Sequence, residues 1–190
     1  MPRYLTLVAL VWLALSCEEL ASAGEKMIAV SMKKIPCHTC HAHGLPDSHG
    51  DVWVVYDGGR KERVTRSGLC RDPKLSPDGL TCGLGTVTHN ALWEDIWYSA
   101  WPDAVVLYRG GKCLRTIRFN GFWVGAWKFW NNEQQVALRS GSLPDVHADY
   151  YDLYDIATGA LVDKGSVLLP LDITGEYPPA WAATWDTLVS

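Results

Sequence analysis

After its N-terminal segment the chain has no run approaching the ~18 apolar residues that a membrane-spanning helix needs. No transmembrane helix is therefore expected. An excess of positive charge is also missing. The 17 Lys and Arg stand against 21 Asp and Glu, for a net charge of -4, which argues against nucleic acid as a partner. No Gly-x-Ser-x-Gly, Walker loop or dinucleotide fingerprint occurs, so the hydrolase, nucleotide-binding and Rossmann frameworks that depend on them lose their support. Ser, His and Asp residues exist, but no spacing marks a triad. Asp145, Asp149, Asp152 and Asp155 lack the spacing and the glycine of a calcium loop, and read as solvated loop charges. Nothing in the chain marks an enzyme.

What is present begins with an export signal. Arg3 is a charged n-region, residues 4–16 are apolar but too short to span a bilayer, and Ala21-Ser22-Ala23 supplies a small-x-small cleavage site. Cleavage after Ala23 is expected, giving a signal peptide over 1–23 and a periplasmic or secreted single domain over 24–190. A rival reading treats residues 13–17 as a loose lipobox that would anchor the chain as a lipoprotein through Cys17. Export fits the cysteines. Without Cys17, five remain: Cys37, Cys40, Cys70, Cys82 and Cys113. An odd number leaves at least one thiol free, ligating or paired with another chain, and an oxidising compartment permits disulfides. Cys70 and Cys82 flank one hairpin and are candidates to bond.

The strand pattern repeats. Residues 50–59 and 74–82, then 104–111 and 128–138, then 150–159 present a strand, a glycine turn and a further hairpin about three times. Units of roughly 40 to 50 residues with four strands each are the signature of β-propeller blades. In detail, strands are expected at 27–32, 51–56, 60–65, 72–76 and 80–87. The strands at 104–108, 113–119, 125–130 and 135–139 complete a four-strand group, and 151–154 with 160–162 begin the next hairpin. Ser76-Pro77-Asp78-Gly79 is a turn in which Pro presets φ and Gly closes. Two stretches are insertions: 33–49, rich in Cys, His, Pro and Gly, and 90–102, where Trp93, Trp97 and Trp101 have helical spacing. Ten Trp and eight Tyr read mainly as packing between sheets, with a sugar-binding platform as the sharper alternative.

Residues 51–55, 63–65 and Arg71-Asp72-Pro73-Lys74-Leu75-Ser76-Pro77-Asp78-Gly79 resemble a TolB-type propeller repeat. Tyr151-Asp152-Leu153-Tyr154-Asp155-Ile156-Ala157-Thr158-Gly159 is similar to WD-type repeats. The middle unit departs from the pattern at Phe129-Trp130-Asn131-Asn132-Glu133. The resemblance implies an all-β fold: a propeller-like array of about three four-stranded antiparallel blades. Such motifs are scaffold and carry over no catalytic residue. A last strand near Trp181 and Trp185 is expected to complete the N-terminal blade. Closed propellers usually have about four to eight blades. The array is therefore open and capped, or two chains form a homodimer that completes a six-bladed ring.

Cys37-His38-Thr39-Cys40-His41 is the attachment pattern for covalent haem c, with Cys37 and Cys40 bonding the vinyl groups and His41 ligating iron. Zinc is the alternative, held tetrahedrally by Cys37 and Cys40 with one or two of His38, His41, His43 and His49, His41 and His43 foremost. The plain reading is a Cys37–Cys40 disulfide, or pairing with Cys70, in a surface loop that binds no cofactor. The sequence thus points to an exported, non-enzymatic propeller-like module that binds a protein or a cell-envelope component. The second reading is a c-type haem or zinc-binding redox protein.

Overall fold

The structure is a computed structural model that describes residues 25–34, 49–87, 102–119, 123–141, 148–168 and 178–182. Among the described residues it is all-β, with two antiparallel sheets. The strands are β1 (Met27–Lys34), β2 (Gly50–Tyr56), β3 (Lys61–Arg63), β4 (Cys70–Leu75), β5 (Thr81–Thr86) and β6 (Ala104–Arg109). They continue with β7 (Lys112–Arg118), β8 (Trp123–Trp130), β9 (Gln135–Gly141), β10 (Ala148–Asp155) and β11 (Leu161–Leu168). The first sheet runs β1-β2-β4-β5-β6-β7, with β3 also pairing β2; the second runs β11-β10-β9-β8.

Period-two patterning produces these strands. In β2, Val52, Val54 and Tyr56 point to one face and are at most 1% exposed. The tight turns close as the residue types dictate. At 76–79 the Ser76 amide donates to the Thr81 carbonyl and the Gly79 amide to the Ser76 carbonyl, both at 2.8 Å. Asp78 Oδ1 accepts from the Leu80 amide at 2.8 Å, and Gly79 sits at φ 73°.

β5 and β6 are buried on both faces, and this organises the core. On one face Cys82, Leu84 and Val106 pack with Met27, Val52, Val54 and Tyr56. On the other, Val105, Leu107 and Ile117 pack with Val124, Trp127, Val136, Leu138, Tyr154 and Ile156 of the second sheet. Close packing there requires a missing side chain. A Cβ on Gly83 would overlap the Trp127 ring and lie 3.0 Å from Leu107 Cδ2. Gly83 thus admits a fully buried indole to the surface of β5.

Three expectations are corrected. The strands over 104–139 do not form one four-strand group: β6 and β7 belong to the first sheet, β8 and β9 to the second. The apolar faces of these two pairs bury against each other, Val105, Leu107 and Ile117 against Val124, Trp127, Val136 and Leu138. The tail is not a strand at Trp181. Residues 180–182 form a turn on the outer face of the second sheet, where Trp181 meets Trp130 and Tyr151 at ring distances of 6.3 and 6.4 Å. Trp181 Nε1 donates to Asp163 Oδ2 at 2.9 Å. Trp181 therefore covers the C-terminal sheet rather than the N-terminal one; Trp185 lies outside the described residues. Finally, Cys70 and Cys82 are free. Cys70 stands opposite Thr86 and Cys82 opposite Leu75, so the ladder holds them several residues apart.

Candidate functional site

The strand directions separate two ends. At one end lie the short turns 57–60, 76–80, 110–111, 131–134 and 156–160. At the other, longer connections join β1 to β2, β5 to β6 and β9 to β10.

A cavity of about 420 Å³ opens toward the second end. The tip of β1 supplies Met32 and Lys34, the start of β4 Arg71 and Asp72, the end of β5 Gly85, and the start of β8 residues 124–127, with Pro102 beside them. Irregular backbone shapes it twice. β4 loses register between Arg71 and Lys74, with Asp72 at φ 45°, and β8 does so between Val124 and Ala126, where Gly125 is the extra residue. Bulges bend strands and re-aim side chains, and they concentrate beside binding sites. The two bulges are fastened to each other: Trp127 Nε1 donates to the Asp72 carbonyl at 3.2 Å. The Val124 amide donates to the Pro102 carbonyl at 2.8 Å and fixes the start of β8 against β6.

The charges in the lining are two cations and one carboxylate. Asp72 Oδ2 is bridged to Lys74 Nζ at 3.0 Å, and that ammonium lies 5.5 Å from the Trp127 ring centre. Burial pulls the Arg71 guanidinium below its ordinary value, with Asp72 opposing. A guanidinium remains charged at neutral pH all the same. The walls are otherwise apolar: Met32, Pro102, Val124, Ala126 and Trp127.

The turn end is built differently. Asp78 and Glu133 meet across the two sheets, the Asp78 amide donating to Glu133 Oε1 at 2.8 Å. Burial acts to raise the Asp78 carboxyl, but hydrogen bonds from Ser76 and the Leu80 amide outweigh it and hold the group below its usual range. Burial and the contact with Asp78 raise Glu133. Arg115 donates to the Ala157 carbonyl and ties β7 to the β10–β11 turn. These contacts fasten turns to one another and leave the connection end as the candidate site.

Cys37, Cys40, His41 and His43 lie outside the described residues. Their segment is rooted at the cavity, because Lys34 and Gly50 stand opposite each other at the end of the β1–β2 ladder. Among the described residues no group of three or more His, Cys, Asp or Glu could hold a metal. The cavity residues were missed by sequence reasoning, which took 71–76 as scaffold and 125–130 as an ordinary strand. The available signals were Pro73 and Gly125, residue types that mark bulges when they occur inside strands. In comparisons with known proteins, no family model matches the chain and no curated protein is similar to it.

Proposed function

We propose that the chain is an exported, non-enzymatic binding module of propeller-like build that seats its ligand in the cavity between its leading strands. One observation carries the reading. β1, β4 and β8, the first strands of three successive antiparallel groups, all line the same cavity. The innermost strands of propeller blades surround a central channel in this way. The grouping is supported by a weak seam: β2 and β4 pair only at Gly50 and Cys70. On this reading the groups β1–β3, β4–β7 and β8–β11 are three blades, the first two joined through that seam. The likeness of 50–79 to TolB-type repeats and of 150–159 to WD-type repeats fits this arrangement, and the N-terminal signal supports a periplasmic or secreted location.

An open, capped array suits the flanks better than a six-bladed homodimer. The outer face of the last group is covered by Trp181 and Ala182, and a Cβ on Gly165 would sit 2.6 Å from the Pro179 ring. The outer face of the first group carries Lys33, Lys61 and Arg63 beside a partly buried Trp53 and Val55. Lysine on such a face disfavours pairing with another sheet.

A thermal-shift screen of small molecules and cell-envelope extracts tests the module. Wild type should be stabilised by some component that leaves Gly125→Leu unmoved, since that variant adds a side chain at an exposed point of the cavity wall. The absence of any stabilising component, or chemical turnover of the one found, would overturn it. The second reading remains the Cys37, Cys40 and His41 segment as a haem c or, with His43, a zinc site, favoured by the rooting of that segment at the cavity mouth. A Soret band that survives denaturation, after expression in a haem-maturing host, tests the haem. Metal analysis of wild type against Cys37→Ser tests zinc.

A further inference from the structure

We infer that the outer face of β1–β3 is a second binding site, apart from the cavity, and that it takes an acidic polysaccharide. The strand register builds it. Ser31 and Arg63 stand opposite Trp53, Ala29 and Lys61 opposite Val55, and Lys33 opposite Asp51. Directly opposed residues share a face. Val52, Val54 and Tyr56 take the core side of β2, so this set forms the other side, with Trp53 at its centre. Trp53 and Val55 are partly exposed and belong to none of the described core clusters. The charge here runs against that of the whole chain, which is -4. Lys33, Lys61 and Arg63 stand against the single carboxylate of Asp51. Asp51 is buried and engaged at both oxygens: one is bridged to Arg63 and the other accepts from the Gly68 amide at 3.1 Å. Lys33 and Lys61 are exposed, and among the described residues neither is bridged to a carboxylate. Glu62 lies on the opposite side, accepting from the Tyr56 hydroxyl at 2.8 Å. The face therefore keeps the two ammonium groups as a positive excess.

The layout selects the ligand. Lys33 on β1 and Lys61 on β3 lie one row to either side of Trp53, with rows about 7 Å apart along a strand. A polymer charged on successive units reaches both lysines, whereas a small anion reaches one. Trp53 offers an apolar ring for the C–H side of a sugar, and Ser31 and Arg63 beside it offer polar groups to its hydroxyls. Two other polyanions fit less well. Single-stranded nucleic acid is held on several stacking aromatics, and this face has one. An anionic bilayer is gripped by large protruding apolar side chains, and the exposed neighbours of Trp53 on β1 are Ala29 and Ser31.

The test is calorimetric titration of residues 24–190 with polygalacturonate and with its methyl ester, which keeps the sugar backbone and removes the charge. Polygalacturonate should bind about fivefold more tightly than the ester, as a few exposed ion pairs supply. That preference should shrink as salt rises from about 0.02 to about 0.3 M. The double variant Lys33→Glu, Lys61→Glu changes exposed side chains only, so it should fold and lose the preference while still binding the ester. Trp53→Ala should weaken both polymers, with circular dichroism checking its fold; should it not fold, the lysine variant still decides. Absence of binding, equal affinity for polymer and ester, or a preference untouched in the lysine variant overturns the inference. So does binding of oligothymidylate or of phosphatidylglycerol vesicles as tight as that of polygalacturonate. If Gly125→Leu abolishes polygalacturonate binding and Trp53→Ala leaves it, the ligand belongs to the cavity and the face fails, while the binding-module reading stands.

Discussion

Replacing Gly83 by Ala perturbs the fold at its tightest contact. The new Cβ would overlap the Trp127 ring, reaching 2.9 Å from Cζ3, with Leu107 Cδ2 at 3.0 Å. The indole has little room to retreat. Its Nε1 is bonded to the Asp72 carbonyl at 3.2 Å, and its ring meets the edge of Phe129 at 5.4 Å. The backbone of Gly83 is outside the left-handed region, so alanine brings no φ strain of its own. The penalty is therefore overpacking, about 1–3 kcal/mol. In urea, with a slope of about 1–3 kcal/mol per molar, a loss near the middle of that range lowers the midpoint by about 1 M. The decisive measurement is a double-mutant cycle. Trp127→Ala by itself should cost about 3–5 kcal/mol. In that background the methyl added by Gly83→Ala has space. The smaller entropy of its unfolded chain should then make the substitution neutral or stabilising by about 0.4–1 kcal/mol. Should Trp127→Ala fail to fold, Trp127→Leu supplies a milder background. A Gly83→Ala loss equal in both backgrounds would refute the idea that this glycine exists to seat the indole, as would a wild-type loss below about 0.5 kcal/mol, the size expected of ordinary surface substitutions.

Burial raises the Cys82 thiol to about 12, so native iodoacetamide labelling at pH 8 followed by peptide mapping should find Cys113 modified and Cys82 intact until the protein is unfolded. Native modification of Cys82 would contradict the packing of that face. Asp78 and Glu133 should shape the pH profile in opposite senses. The depressed Asp78 carboxyl stabilises the fold above its ordinary value, and that contribution is lost as pH falls through its lowered value. Asp78→Asn should therefore flatten the acid limb of a stability–pH curve. Glu133 is raised, so its contribution is present at low pH and lost as pH rises through the raised value. Glu133→Gln should match wild type in acid and exceed it at pH 7 in thermal denaturation; a variant weaker than wild type at pH 7 would reverse that sign. Light scattering of residues 24–190 at micromolar concentration should show a monomer, and a stable dimer would restore the proposal of a six-bladed ring.

Much of the fold was legible because strand and turn chemistry is local. Val52, Val54 and Tyr56 alternate, and Ser76-Pro77-Asp78-Gly79 sets its own dihedrals, so the described strands fall close to where alternation and glycine turns put them. The assignment of strands to sheets was not legible. β6 to β9 read as one hairpin series, and nothing local distinguishes the connection at 119–122, where the chain changes sheet, from the turns that keep it within one. The candidate site was hidden for a related reason. Lys34, Arg71 and Gly125 look ordinary in their own strands, and only the meeting of two bulges gives them a common cavity.

The sequence by itself determined that this chain forms antiparallel strands and where they turn, since those properties depend on period and turn residues. Tertiary structure alone decided that β7 and β8 part into separate sheets, that Trp127 lies on Gly83, that Cys70 and Cys82 stay apart, and that Trp181 covers the last sheet. These outcomes depend on which apolar faces find each other across long stretches of chain. That choice is made by shape and burial summed over the whole core, and no window of sequence contains it.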